Sequence, residues 1–280
     1  MPAQTIEDPG LLAPLTTVEG VRWSAQVRDA ATGEVLDALT PATVLTTASV
    51  GKLFLLLEVA EQLADGRLDP DLVLDVSDDD LIADSGLLQH FRNQSQRVAD
   101  LALLVGAVSD NLATNVLLRH VGLEATTAQA ERRGFADTRL LDQVRDDRPA
   151  DDPLTLSRGR GDELCALVSE IHQRAEAADP VAAQVRRWLG TDTDLSMVAA
   201  AFGLDPLAHV DPDEGLALFN KTGTERGVRI DVGAASGPAG ALAYAVLGNW
   251  DAAAQPELRG PVLAAMRQVG GRLLARIWAS

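Results

Sequence analysis

Between Val21 and Asp29 apolar and polar residues partly alternate. A turn signal follows at Ala31-Thr32-Gly33, and Glu34 to Leu39 resumes an extended pattern. Alternation interrupted by a glycine turn predicts a β-hairpin over residues 20–40. At Ser49 the pattern changes: Ser49 to Ala64 is dense in Leu, Val and Phe, the mark of a buried helix, and Asp65-Gly66 is a stop signal. The acidic stretch from Asp75 to Asp84 reads as a loop. Helices are expected at about 97–108 and 111–121, joined through Ser109-Asp110-Asn111. Residues 142–162 are the least apolar part of the chain and predict a long loop, of the kind that is often functional or mobile. Helical patterns resume at about 162–176, 180–189 and 194–202. Strand signals return at Ala217 to Gly223, Val228 to Gly233 and Ala241 to Leu247, and a helix of about 257–278 follows.

Strands, then helices, then strands and a helix predict an α+β fold rather than a wound βαβ sheet. The hairpin and the last strands can share one antiparallel sheet flanked by helices, with an all-helical lobe inserted. Residues 1–280 read as a single module, with residues 20–48 and 203–280 as an α/β lobe and residues 49–202 as the helical lobe.

The 280-residue chain is 46 % apolar and 23 % charged, an ordinary globular balance. Its formal charge of −17 repels phosphate backbones and argues against a nucleic-acid partner. The single cysteine, Cys165, rules out an internal disulfide and reads as a small core thiol. The N-terminal residues lack the basic and apolar regions of a signal peptide, and no run approaches 18 uninterrupted apolar residues. The expectation is a monomer without a membrane span, cytoplasmic, or secreted or periplasmic if an export signal has been removed. Arg160-Gly161-Asp162 matches an adhesion tripeptide too short to carry weight.

The most informative count is lysine: two, Lys52 and Lys221, against 22 arginines. A chain that favours arginine so strongly keeps lysine where an amine has a task a guanidinium cannot do, and proton transfer is the clearest such task. Ser49-Val50-Gly51-Lys52 places a hydroxyl and an amine three residues apart, on one side of a helix start. Apolar neighbours Leu53 to Leu57 disfavour the ammonium and would make Lys52 a base for Ser49. Taken alone, Ser109-Asp110-Asn111 reads first as helix capping. Lys221-Thr222-Gly223-Thr224 reads first as a strand running into a turn. Alternation would put Lys221 and Gly223 on one face, and Gly223 would let a substrate approach the backbone.

In the order Ser49, Ser109, Lys221 these three elements resemble the signature of the penicillin-recognising serine hydrolases, and within them the class A β-lactamases. The longer blocks from Ser109 to Leu118 and from Asn220 to Thr224 extend the likeness, which covers roughly residues 20–278. The resemblance implies a β-lactamase/transpeptidase-like fold and a serine hydrolase acting on a small β-lactam or a similar amide or ester, without metal or cofactor. It implies that Ser49 is acylated with Lys52 as proton acceptor, and that Ser109 passes a proton to the leaving nitrogen. Asn111 would hold the substrate amide or Lys52. Lys221 would sit across the cleft and supply positive potential for a substrate carboxylate, which Thr222 and Thr224 would bind. The backbone N–H groups of Ser49 and Thr224 would form the oxyanion hole.

One departure bears on release of the acyl group. Alignment on Leu141-Asp142 puts Arg145 where the family's water-activating loop glutamate belongs, and Pro149 where its asparagine partner belongs. Arg145 could instead pair with Asp142 or Asp146. The alternatives are therefore a related esterase or D-alanyl peptidase, or a penicillin-binding protein that deacylates slowly. Other templates fail: there is no Gly-x-Ser-x-Gly elbow, Gly51-Lys52 lacks the rest of a phosphate loop, and His90, His120, His172 and His209 show no metal-ligand spacing.

Overall fold

The computed structural model describes residues 10–278. The hairpin is present as β1 (Arg22–Asp29) and β2 (Val35–Leu39), with Gly33 at φ +77° in its turn. Five two- or three-residue strands tie the loops together: β3 (Leu45–Thr46), β4 (Val73–Leu74), β5 (Gln96–Arg97), β6 (Arg139–Leu140) and β7 (Ser157–Gly159). The long strands β8 (Ala217–Glu225), β9 (Val228–Gly237) and β10 (Gly240–Asn249) join the hairpin in one antiparallel sheet, ordered β2-β1-β10-β9-β8. The hairpin and the last strands thus share one sheet, as the pattern predicts, with β2 and β8 as its edges.

The helices are α1 (Lys52–Ala64), α2 (Val98–Val108), α3 (Asn111–Val121), α4 (Leu123–Arg132), α5 (Gly161–Glu176), α6 (Pro180–Leu189) and α7 (Arg259–Trp278). β10 explains how they are arranged. Its alternate side chains Ala243, Ala245 and Leu247 join the core that includes Phe54 and Leu167, while Leu242, Tyr244 and Val246 join the core of Met266, Val269 and Leu273. Period-two alternation with both sets apolar means a sheet covered on both faces, by α5 on one and α7 on the other. Gly161 lets α5 start hard against β1, since a Cβ there would lie 2.8 Å from backbone atoms of Ser24 and Ala25. α6 and α1 then pack outward from α5, and α2 to α4 complete the helical block. Among the described residues no helix is long and apolar enough to cross a membrane.

Two elements differ from expectation. The helix expected at 194–202 is only a 3-10 turn, Ala199–Ala201. The Ala199 N–H is taken by the buried Asp231 carboxylate at 3.1 Å, and the Val198 carbonyl presses onto Gly270 of α7, so this segment is shaped by its neighbours. Helix α4 carries too few apolar residues to announce itself. Its buried side chains include Thr126, Gln129 and Ala130, and Gln129 donates to Glu58 of α1 at 2.7 Å.

Gly270 and Gly271 separate packing from propensity. A Cβ on Gly270 would lie 2.0 Å from the Val198 carbonyl oxygen, whereas one on Gly271 meets nothing within 4 Å. Gly270→Ala should cost about 2 kcal/mol by overpacking, and Gly271→Ala should gain up to about 1 kcal/mol from helix propensity. Chemical denaturation of the two variants checks the opposite signs.

Candidate active site

Ser49 is delivered by a segment fastened on two sides. The Thr46 N–H donates to Asn249 Oδ1 at 3.0 Å, and Asn249 Nδ2 donates back to the Thr46 carbonyl at 3.1 Å, locking the segment to the end of β10. On the other side the Thr47 N–H donates to the Ser157 carbonyl, and Ser157 Oγ donates to the Ala48 carbonyl at 2.5 Å. Ala48 is held at φ +47°, a left-handed conformation that costs a non-glycine residue about 1–2 kcal/mol and persists only when its surroundings impose it.

Ser49 lies in the 3-10 turn Ala48–Gly51, one turn before α1, rather than at the first turn of an α-helix. With three residues per turn, positions i and i+3 eclipse, so this turn sets Ser49 and Lys52 on one side. Gly51 has a packing reason: a Cβ there would lie 2.4 Å from Ser157 Cβ.

Ser49 faces a cleft of about 790 Å³ that is also lined by Ser109, Asn111, Thr222 and Thr224. Lys52 is fully buried and, like Lys221, is not itself among the residues that line the cleft. Its Nζ donates to the Ser109 carbonyl and to Asn111 Oδ1, both at 2.7 Å, and stands 3.4 Å from Ser109 Oγ. Burial, and next the charge of Lys221, push the Lys52 pKa well below the ordinary lysine value; Asp110 and Asp84 oppose them.

The motif at the α2–α3 junction divides its work. Asp110 is the cap: Oδ1 accepts from the Ala113 N–H at 2.9 Å, and Oδ2 accepts from the Leu87 and Leu88 N–H groups at 2.7 and 2.8 Å. Ser109, held at φ +53°, and Asn111 flank it and turn to Lys52. The capping reading holds for Asp110, while Ser109 and Asn111 are the residues that bond Lys52.

β8 departs from expectation at two positions. Thr222 and Thr224 line the cleft, but Lys221 does not: it is fully buried behind them, with Nζ 3.0 Å from the Thr222 carbonyl. Burial lowers its pKa, while Asp192, Asp194 and Asp231 pull the other way. The space beside Gly223 is filled by the protein itself, since a Cβ would lie 2.3 Å from the Thr47 carbonyl oxygen. Glycine here lets β8 approach the turn that carries Ser49.

β6 and β7 pair at the neck of a loop spanning residues 141–156, which forms another wall of the cleft. Arg145 bonds Asp142 at 2.8 Å and pairs with Asp152 at 3.1 Å, and Arg148 also reaches Asp142 at 2.8 Å. Burial works against the Asp142 carboxylate, but the bond from Arg145, the Gln143 N–H and Arg148 hold its pKa below the usual range. Asn115 fastens the loop from α3 by accepting from the Val144 N–H at 2.9 Å and donating to its carbonyl at 3.0 Å. The only sequence signal for Asn115 was its position one helical turn after Asn111.

Asp84, Asp192 and Asp194 also line the cleft, and the motifs did not point to them. Arg160 pairs with Asp162 and Asp137, tying the adhesion-like tripeptide into the fold. Cys165 is fully buried, and burial pushes its thiol up to about 12.

A cleft lined by the hydroxyls of Ser49, Ser109, Thr222 and Thr224, with the buried Lys52 amine bonded to Ser109 and Asn111, sits in a β-lactamase/transpeptidase-like fold. The model of the beta-lactamase enzyme family matches residues 12–273, so the chain belongs to that family and is a serine hydrolase of the β-lactamase type. Among solved structures it is similar to a β-lactamase from Sphaerobacter thermophilus, at 22 % identity and a TM-score of 0.81 over 96 % of this chain and 97 % of that one. It also resembles a β-lactamase from Burkholderia vietnamiensis (18 % identity, TM-score 0.76, 99 % and 100 % covered) and PBP-A (19 % identity, TM-score 0.73, 94 % and 93 % covered). At these identities the likeness is one of fold. No curated protein is similar enough in sequence to count as a match.

With only two lysines, the protein allows a direct check by NMR of lysine labelled with 13C at Cε. Both side chains should titrate below 10.5. Because the charge of Lys221 depresses Lys52, Lys221→Met should move the Lys52 midpoint upward. A midpoint at or above 10.5 for Lys52 would contradict the electrostatic account.

Proposed function

We propose that Ser49 is acylated by a β-lactam or a similar amide or ester, and that the acyl-enzyme is then hydrolysed. The observation that carries this reading is the seat of Lys52. Its two short bonds go to atoms that only accept, leaving the lone pair of a neutral amine to take the Ser49 Oγ proton. As that proton leaves, Oγ bonds to the carbonyl carbon and the carbonyl oxygen takes the negative charge. The N–H groups of Ser49 and Thr224 are assigned to that oxyanion. Ser109 Oγ, 3.4 Å from Nζ, passes its proton to the leaving nitrogen as the C–N bond breaks, and recovers one from Lys52. Thr222 and Thr224 hydrogen-bond the substrate carboxylate, with Lys221 as a buried charge behind them.

A second reading concerns release, and a specific observation favours it. Arg145 occupies the loop position of the family's water-activating carboxylate, and its guanidinium is committed to Asp142 and Asp152. A guanidinium cannot serve as a base, so release is slow or falls to Asp146, the loop carboxylate that also lines the cleft. A variant of PBP-A, similar in fold, is described as an acyl-enzyme complex with penicillin G.

Intact-mass spectrometry after mixing with a penicillin tests both readings. The expected result is an adduct that is absent in Ser49→Ala. A transient adduct with product accumulation indicates hydrolysis, and one that persists for hours indicates a slow penicillin-binding protein. No adduct and no product, with simple esters still cleaved through Ser49, would leave the esterase or D-alanyl peptidase reading.

A further inference from the structure

The cleft is acidic: Asp84, Asp146, Asp192, Asp194 and Glu225 line it, and none of them has an ion-pair partner among the described residues. Arg145 and Arg148 both line it, and both are neutralised by ion pairs to Asp142 and Asp152. The carboxylates on its β8 side are not neutralised in this way. Asp194 and Glu225 line the cleft, and neither has an ion-pair partner within 4 Å among the described residues. One Asp194 oxygen, Oδ1, accepts from the Ser196 hydroxyl at 2.6 Å and the Ser196 N–H at 3.2 Å. Asp192 lines the same cleft with 1 % of its surface exposed, and its Oδ2 is buried with no hydrogen-bond partner among the described residues. An orphaned buried carboxylate oxygen is costly and calls for a partner.

The cations near this end are Lys221 and Arg229. Lys221 is fully buried and faces Asp192, Asp194 and Asp231; Arg229 donates to the carbonyls of Glu225 and Val228 at 2.9 and 2.7 Å. Arg148 acts on Glu225 from the loop but is paired with Asp142. Acid groups therefore outnumber uncommitted cations where Thr222 and Thr224 meet the Asp192–Asp194 turn. In a β-lactam the carboxylate assigned to those threonines sits on the ring-nitrogen half, so this end receives the leaving-group half of the substrate.

We propose that the space between β8 and the Asp192–Asp194 turn is a subsite for a cationic group, an ammonium or pyridinium, carried on the leaving-group half of the acyl donor. This rests on acylation of Ser49 as proposed above. The cation answers the unpaired Asp194 and Glu225 carboxylates, with Asp192 buried behind them beside Lys221, so the preferred donor is a zwitterion rather than an anion. Its carboxylate meets the hydroxyls of Thr222 and Thr224, and its cation lies beside them.

The test uses the full chain and two cephalosporins with the same acyl side chain, one bearing a pyridinium and the other an acetoxy group at the C3 methylene. The loss of β-lactam absorbance gives kcat/KM, which includes acylation whether or not release is fast. Because the two compounds differ in intrinsic reactivity, the quantity read is the pyridinium-to-acetoxy ratio relative to that of the variants. Asp194→Asn, which can keep the Ser196 bonds, should lower the ratio about tenfold. Glu225→Gln should lower it less, and raised salt should lower it for the wild type only. A ratio unchanged or increased in Asp194→Asn overturns the subsite while leaving Ser49 acylation intact. If neither compound is opened or attached to Ser49, the functional reading falls, and this inference falls with it.

Discussion

A lysine ammonium buried without exposure would be among the costliest groups in the molecule, and most of the site can be understood as the consequence of placing Lys52 there. Its Nζ needs acceptors, and they come from another part of the chain, the Ser109 carbonyl and Asn111 Oδ1 at the α2–α3 junction. That junction must in turn be rigid, and Asp110 makes it so by capping α3 and holding the turn at Leu87 and Leu88. One buried amine thus ties α1 to α2, α3 and the loop that closes over them.

The electrostatics follow from the same constraint. Two lysines lie buried; the charge of Lys221 disfavours that of Lys52, Asp110 and Asp84 act on Lys52, and Asp192, Asp194 and Asp231 act on Lys221. Burial pushes Asp192 up to about 7 and Asp231 up to about 6. Asp231 also receives bonds from Asn220 and Tyr244, both at 3.1 Å, so the sheet behind the cleft holds a polar network inside an apolar frame. The two amines differ in their bonds: Lys52 donates to the Ser109 carbonyl and Asn111, and Lys221 to the Thr222 carbonyl.

Tight backbone approach is the second device. Gly51 admits Ser157, and Gly223 admits the Thr47 carbonyl, so the turn carrying Ser49 is pressed between β7 and β8. The left-handed backbone at Ala48 is held by this pressure, and Ser49 is presented to the cleft from a support with little freedom to move. Arg145 fits the same pattern, since its ion pairs to Asp142 and Asp152 stiffen the loop wall of the cleft.

The hairpin, the α+β order, α1 to α3, α5 to α7 and the three long strands were legible because their apolar periods are strong and their stops carry glycine or capping residues. Ser49, Lys52, Ser109, Asn111, Thr222 and Thr224 were legible as spaced motifs, and the structure lines one cleft with all of them but Lys52, which is buried and bonded to Ser109 and Asn111. What tertiary structure decided is what depends on neighbours distant in the chain. The segment at 194–202 stays a short turn because Asp231 and Gly270 claim it, and α4 forms because Glu58 and Glu61 bond its Gln129. Gly223 serves a contact with Thr47, and Lys221 lies behind the wall rather than on it. Asp192 and Asp194 become site residues only once the sheet brings them beside β8. Local pattern determines which residues form an element, since a helix or strand is specified by its own period; the charge a cleft presents is a sum over side chains from several elements, and only the folded chain performs that sum.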